Sequence, residues 1–252
     1  MNHVNVIVLF GVKGSGKDTV GHYLHNEHNF APDSFASPLK KMVKLAFPDF
    51  TEVDLYGPSA GRERQYAQYP KTDDCLKCGS VLFDNAKSPI GAELICTACG
   101  STYPYDVNPR IALQTLGTEW GRRLYKDIWV DAAVQRVRAE RLDWRKRLFG
   151  RNQTYFPPPG FAIEFENEPK FVFTDGRFAN EQVRCAEMGA TTVLLLRKLE
   201  ESEDTHASEA ELKTIPREKF DYVLDNRGTL EELPSKIEEM LKALRDPGPP
   251  HL

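Results

Sequence analysis

Nowhere in its 252 residues does the sequence hold the uninterrupted run of about 18 apolar residues that a membrane-spanning helix needs, which argues against a membrane role. The amino terminus lacks the basic start and small-residue cleavage site of a secretory leader, so a cytoplasmic protein is expected. Excess positive charge is missing too. Against 33 Lys and Arg stand 37 Asp and Glu, a formal net charge of -4, whereas a large duplex-binding surface needs many cations facing the phosphates. Cysteine is scarce, and four of the five fall into the pairs Cys75-x-x-Cys78 and Cys96-x-x-Cys99. Without an export signal these point to reduced thiolates on a metal rather than to disulfides. There is no internal repeat. What is present, 40% hydrophobic and 28% charged residues, is ordinary globular composition, long enough for one large domain or one domain with an insertion.

The run Val4 to Phe10 is apolar and β-branched without alternation, as in a central parallel strand covered on both faces. Helical spacing follows over Thr19 to Asn29 and again over Pro38 to Ala46, ahead of Pro48. From Asp49 to Asn108 the periodicity is lost and prolines, glycines and cysteines collect, which reads as an insertion. Pro109 to about Leu148 is helical again, with Leu113, Leu116, Trp120, Leu124, Trp129, Ala133 and Val137 at core-like spacing. A charged and Pro-rich surface loop is expected over Arg145 to Gly160. Then strands Phe171 to Thr174, Thr192 to Leu196 and Tyr222 to Leu224 alternate with helices Glu181 to Met188 and Leu230 to Leu244. Strand and helix in alternation imply a parallel, doubly wound α/β sheet.

Between the first strand and the first helix lies Gly11-Val12-Lys13-Gly14-Ser15-Gly16-Lys17, two glycines flanking a lysine-terminated loop. Glycines there let successive backbone N–H groups turn inward around phosphate oxygens, the helix adds its positive end, and Lys17 reaches the outer phosphates. Where magnesium is usually held by Ser or Thr after the lysine, this chain has Asp18, with Thr19 one step later; either side chain could hold the ion. A loop of this kind serves kinases, GTPases and motor ATPases alike. However, no apolar strand ends in the Asp-Glu pair of many ATPases, and no Asn-Lys-x-Asp guanine signature occurs. The strand Phe171 to Thr174 runs instead into Asp175-Gly176-Arg177.

These segments, together with Gly16-Lys17-Asp18-Thr19, Phe35-Ala36-Ser37-Pro38-Leu39-Lys40, Leu113-Gln114-Thr115-Leu116-Gly117-Thr118-Glu119, Asp204-Thr205-His206 with Glu209, and Asp225-Asn226-Arg227-Gly228-Thr229-Leu230, make the sequence resemble the bacteriophage-type deoxynucleoside monophosphate kinases. The last segment is also similar to dephospho-coenzyme A kinase. The resemblance implies a P-loop nucleoside monophosphate kinase fold with a five-stranded parallel sheet flanked by helices, a moving acceptor-binding region, and a lid over ATP. It implies ATP-dependent conversion of deoxynucleoside monophosphates to diphosphates with Mg2+. ATP would then lie on Gly11, Lys13, Gly14, Ser15, Gly16, Lys17, Asp18 and Thr19.

Phosphoryl transfer to an acceptor oxygen that is already anionic needs charge neutralisation and in-line placement more than acid or base help. Arginines are therefore the residues to seek. Arg177 follows a strand end at the crevice of an open α/β sheet, and Arg197 follows another and opens the expected lid, so both join Lys17 as catalytic candidates. Lys40, Arg62 and Arg64 lie where family members bind the monophosphate, although exposed cations are the default. Gln114 offers donor and acceptor to a base edge, and Trp129 a stacking face, with a core role favoured by its spacing. Asp175, Asn180 and Glu181 complete the acceptor candidates; Glu181 equally suits the start of a helix. His22, His25 and His28 read as a solvated helix face, and Cys185 as a buried thiol.

The two cysteine pairs are separated by 17 residues, and Gly79 and Gly100 each follow a second cysteine. This is zinc-ribbon spacing: Cys75, Cys78, Cys96 and Cys99 would close a structural Zn2+ tetrahedron, ordering a segment with little apolar material of its own. The expected organisation is a kinase core of 1–50 and 107–245 with a lid near 197–219, a zinc-ribbon insertion of 70–106, and a flexible tail of 246–252. Two other readings remain open from the residues. One is a kinase for another small acceptor such as dephospho-coenzyme A. The other is a zinc-ribbon nucleic-acid-binding ATPase using the stripe Arg136, Arg138, Arg141, Arg145, Lys146, Arg147 and Arg151, which Glu140, Asp143 and the acidic total argue against. Oligomeric state stays open, a homodimer included.

Overall fold

A computed structural model describes residues 4–57, 59–64, 75, 77–80, 82–85, 93–104, 107–149, 168–197, 211–212 and 214–246. The chain forms two compact units, Met1–Ser37 with Lys126–Leu252, and Pro38–Tyr125. The expected lid falls mostly outside the described residues, as do His206, Glu209 and the tail beyond Asp246.

In the first unit, strands β1 (Val6–Phe10), β2 (Phe30–Asp33), β6 (Lys170–Gly176), β7 (Thr191–Leu196) and β8 (Tyr222–Asp225) form one five-stranded sheet in the order β2-β6-β1-β7-β8. Every pairing in it is parallel. The apolar run of β1 is explained by its two covered faces. Ile7 and Leu9 pack with Val20 and Leu24 of α1 (Lys17–His28) and with Leu233, Ile237, Met240 and Leu241 of α7 (Leu233–Arg245). Val6 and Val8 line a cavity with Ala133, Val134, Val137, Arg138 and Arg141 of α5 (Ile128–Phe149) and Cys185 of α6 (Ala179–Glu187). A side chain of Leu or Ile size taken fully out of water contributes about 1.5–3 kcal/mol, so this two-sided burial is the main source of order at the centre of the sheet.

Four of the five strands are legible as β-branched apolar runs; β2 is not. Its sequence Phe30-Ala31-Pro32-Asp33 carries a proline that removes a ladder donor, and only Phe30 is buried. At the sheet's edge that proline is tolerated, because one side of the strand has no neighbouring strand among the described residues.

The second unit contains α2 (Ser37–Ala46) from Pro38 on, α3 (Glu52–Tyr56), a 3-10 turn (Ser59–Glu63), an antiparallel sheet of β3 (Leu82–Asn85), β4 (Glu93–Cys96) and β5 (Thr102–Pro104), and α4 (Pro109–Gln114). Thr51 starts α3: its side chain accepts from Asp54 N–H while the Asp54 carboxylate accepts from Thr51 N–H, a reciprocal cap. After α4 the chain winds as a π-helix over Thr115–Arg122. Here the sequence expectation is corrected. An i→i+5 winding abandons the 3.6-residue period, so the stripe read along Leu113 to Val137 does not form one buried face. Trp120 and Leu124 are 46% and 69% exposed, and the chain leaves the helix near Lys126 before α5 buries Trp129, Ala133 and Val137. Gly117 in the π-helix admits Leu39 of α2, whose Cδ2 would sit 2.8 Å from an added Cβ.

Candidate active site and cysteine cluster

Parallel strands deliver their carboxyl ends to one edge, where an open α/β sheet forms its crevice. Phe10 pairs with Gly176 and with Leu194, and Leu196 pairs with Asp225. The residues that follow, Gly11, Arg177, Arg197 and Asn226, therefore leave the sheet at the same edge. Asn226, which stands just past a strand end like Arg177, joins the sequence candidates at this edge.

The loop from Gly11 to Lys17 is held from several sides. Gly14 and Gly16 have φ of 77° and 98°, in the left-handed region open to glycine. Ser15 is fully buried and donates its N–H to the Val12 carbonyl at 3.1 Å. Lys17, only 7% exposed, opens α1 and points its ammonium back, donating to the carbonyls of Gly11 at 2.5 Å and Val12 at 2.9 Å. Arg197 donates to the Gly14 carbonyl at 3.2 Å, and Asn226 Nδ2 to the Ser15 carbonyl at 2.8 Å. Lys13, Asp18 and Thr19 are exposed, the last two in the first turn of α1.

The other candidates divide between the units. In the first, the Asp175 carboxylate accepts from the N–H groups of Phe35 at 2.9 Å and Ala36 at 3.1 Å, tying the end of β6 to the chain after β2. Glu181, 2% exposed, accepts from Arg177 N–H and Phe178 N–H at 2.9 and 3.1 Å, so its charge caps the start of α6. Asn180 donates to Asp127 at 2.7 Å, and Trp129 is buried in α5. The half-buried guanidinium of Arg177 has no acidic partner among the described residues. In the second unit, Lys40 lies over the Tyr56 ring at 4.6 Å, Arg64 stands 3.8 Å from the buried Asp54, and Arg62 lies in the 3-10 turn that Glu63 ends, Glu63 being paired with Arg110 at 2.9 Å. Gln114 closes α4, half-buried.

The three histidines of α1 do not converge. His22 faces the Asp18 carbonyl, His25 the Phe30 carbonyl, and His28 the Glu238 carboxylate on α7 at 2.6 Å. Much of the arginine stripe is spent locally: Arg136 on Asp33 at 3.0 Å, Arg141 and Arg145 on the buried Glu168 at 3.6 and 3.3 Å, Arg147 on Asp143 at 3.5 Å. Burial, then the charges of Glu181 and Asp175, drives the Cys185 thiol far above its ordinary range, so it behaves as a small apolar group.

The cysteine knuckles repeat each other. Gly79 N–H donates to the Cys75 carbonyl and Gly100 N–H to the Cys96 carbonyl, both at 2.7 Å, while Cys75 N–H and Cys96 N–H donate to Ser80 and Ser101. Their Sγ atoms lie within 4.8 Å of one another, with Cys75 to Cys99 at 3.5 Å and Cys78 to Cys96 at 3.4 Å. A tetrahedron of thiolates with metal–sulfur bonds of about 2.3 Å has edges of about 3.8 Å, so the four cysteines fit one metal ion.

A glycine-lysine phosphate loop between the first strand and first helix of a five-stranded parallel sheet defines a P-loop protein of the α/β class. Its second half, residues 107–237, matches the family model described as deoxynucleotide monophosphate kinase. The chain belongs to the deoxynucleotide monophosphate kinase family. The enzyme of that name from Escherichia phage RB69 is 30% identical over 95% of this chain and all of its own, and that from Enterobacteria phage T4 is 27% identical over 96% of this chain and all of its own. Among solved structures, a dephospho-CoA kinase from Campylobacter jejuni is similar with 12% identity and a TM-score of 0.41, covering 95% of this chain and 96% of that one. No helix among the described residues is long and apolar enough to cross a membrane.

Proposed function

We propose that this protein transfers the γ-phosphoryl group of ATP to a deoxynucleoside monophosphate, yielding the diphosphate. The observation that carries the reading is the loop itself: positive-φ glycines and a buried lysine at the carboxyl edge of the sheet, in a chain of this family. Backbone N–H groups of the loop and the start of α1 hold the ATP phosphates, and Lys17 turns to neutralise the transferring group. Arg177, at the same edge and without an acidic partner among the described residues, takes the acceptor phosphate bidentately. Arg197 sits on the loop and joins it in spreading the charge that builds up in transfer. No general base is required, because the monophosphate oxygen is already anionic.

Asp18 and Thr19, exposed in the first turn of α1, are the residues that would hold Mg2+, which lowers the charge of the β- and γ-phosphates when bound. Lys40, Arg62, Arg64 and Gln114 are proposed for the acceptor's phosphate and base; in the first unit, Asp175 and Glu181 are proposed to hold the backbone on either side of Arg177, and Trp129 and Asn180 are proposed as acceptor contacts. The cysteine segment carries Zn2+ as a structural ion, since four protein ligands leave no open position.

A coupled ADP-release assay with ATP, magnesium and a panel of deoxy- and ribonucleoside monophosphates tests the reading. At least one deoxynucleotide should be used well, and better than its ribose counterpart, by up to about a hundredfold if only an apolar contact rejects the hydroxyl. If no deoxynucleotide supports ADP release, the reading is wrong.

A further inference from the structure

We infer that Asn226 is a positioning residue for ATP, acting by locking one peptide plane of the phosphate loop. The inference rests on the proposal that this loop binds ATP. A loop that turns N–H groups inward must turn carbonyls outward, and buried carbonyls need donors. Those donors are present. Gly11 and Val12 carbonyls receive Lys17, Gly14 receives Arg197, Ser15 receives Asn226, and Gly16 receives the Val20 N–H at 3.0 Å. Of the two described side chains that reach the loop from other strand ends, Arg197 is exposed, whereas Asn226 is 8% exposed and comes from 211 residues away.

A trans peptide is planar, with its C=O and N–H on opposite sides. Holding the Ser15 carbonyl toward Asn226 therefore holds the Gly16 N–H toward the inside of the loop, where it makes no hydrogen bond to any described residue. Glycine on the far side of that plane has no side chain to resist a flip, so the restraint must come from outside. It comes from a rigid place: Asn226 donates its own N–H to the Leu196 carbonyl at 2.7 Å, and Lys236 donates to the adjacent Asp225 carbonyl at 3.0 Å. Asn226 also fills the space beside Gly16, where an added Cβ would lie 2.3 Å from its Nδ2. The nitrogen of the amide must face the loop, because a carbonyl is its partner.

Asn226→Asp keeps the shape, removes the donor and sets an oxygen against the Ser15 carbonyl. Binding of ADP and of a deoxynucleoside monophosphate, each alone, would be followed by calorimetry in wild type, Asn226→Asp and Asn226→Ala, with the Gly16 amide resonance and thermal melting recorded. ADP affinity should fall about tenfold or more in Asn226→Asp, in line with an unpaired buried carbonyl, and less in Asn226→Ala. Monophosphate affinity should hold, and the ADP-induced shift of the Gly16 amide should disappear in the folded variant. ADP affinity within twofold of wild type in both variants overturns the inference, as does equal loss for both nucleotides accompanied by a lower melting temperature. If ADP binding depends on Asn226 while the wild-type protein phosphorylates no deoxynucleotide, the inference stands and the proposed acceptor falls.

Discussion

The phosphate loop and the cysteine knuckles are both tight turns built on glycines of positive φ, yet their surroundings differ. Around Gly16, at φ 98°, an added Cβ would strike Asn226, whereas around Gly79 and Gly100, at φ 72° and 70°, it would meet nothing within 4 Å. The loop is shaped by a core on both sides of β1, including the fully buried Ile7, Leu9, Val20 and Leu24. Between 75 and 104 the buried side chains that are described are Cys75 and Cys96. Apolar burial orders the first site, whereas the second brings together four sulfurs that could hold one metal ion. A turn sequence alone does not tell which of the two supports it.

The comparison breaks most sharply on the metal. Cys78→Ser should lose about one zinc per chain and abolish exchange protection from 75 to 104, since metal binding in such sites is itself folding energy, while amides of β1, β6 and β7 stay protected. Metal analysis with hydrogen exchange reads both; full zinc retention would mean that the cluster is not the ligand set.

Lys17→Ala is expected to lower turnover about a thousandfold with melting little changed, because the lysine's charge is needed on the transferring group. Steady-state kinetics on the folded variant decides this, and undiminished turnover would remove the loop from the mechanism. Ile237→Ala should destabilise the sheet unit by about 2–5 kcal/mol in denaturant titrations, with zinc content unaffected. A coupled loss of zinc would show that the two regions do not order independently. Gly79→Asn sharpens the contrast at its gentlest: asparagine tolerates the left-handed region and finds open space, so stability should change by about 1 kcal/mol or less and the metal should stay. Loss of the metal there would show that the knuckle needs more than its backbone angle.

The lysine-ended glycine loop and the paired Cys-x-x-Cys spacing were legible because each is a local chemistry with a fixed offset, and the strand or turn around it follows from the same few residues. β1, β6, β7 and β8 announced themselves by their apolar runs, continuous and buried on both faces in β1. Strand β2, with Pro32, did not, since its place depends on an edge that only the assembled sheet creates. The π-winding of Thr115–Arg122 likewise erased a periodicity that looked helical over Leu113 to Val137.

What the sequence determined by itself was the class of site: which residues can wrap a phosphate and which can hold a metal, because those demands are met within a few consecutive positions. Tertiary structure decided what surrounds them. The cap made by Glu181 and the tie made by Asp175 spend carboxylates that composition alone leaves available. The pairing of Arg136, Arg141 and Arg145 with Asp33 and Glu168 spends charges that looked like a stripe. The meeting of Asn226 with Ser15 across 211 residues arises only when parallel strands bring their carboxyl ends to one edge, since contacts between distant segments are set by strand order rather than by local spacing.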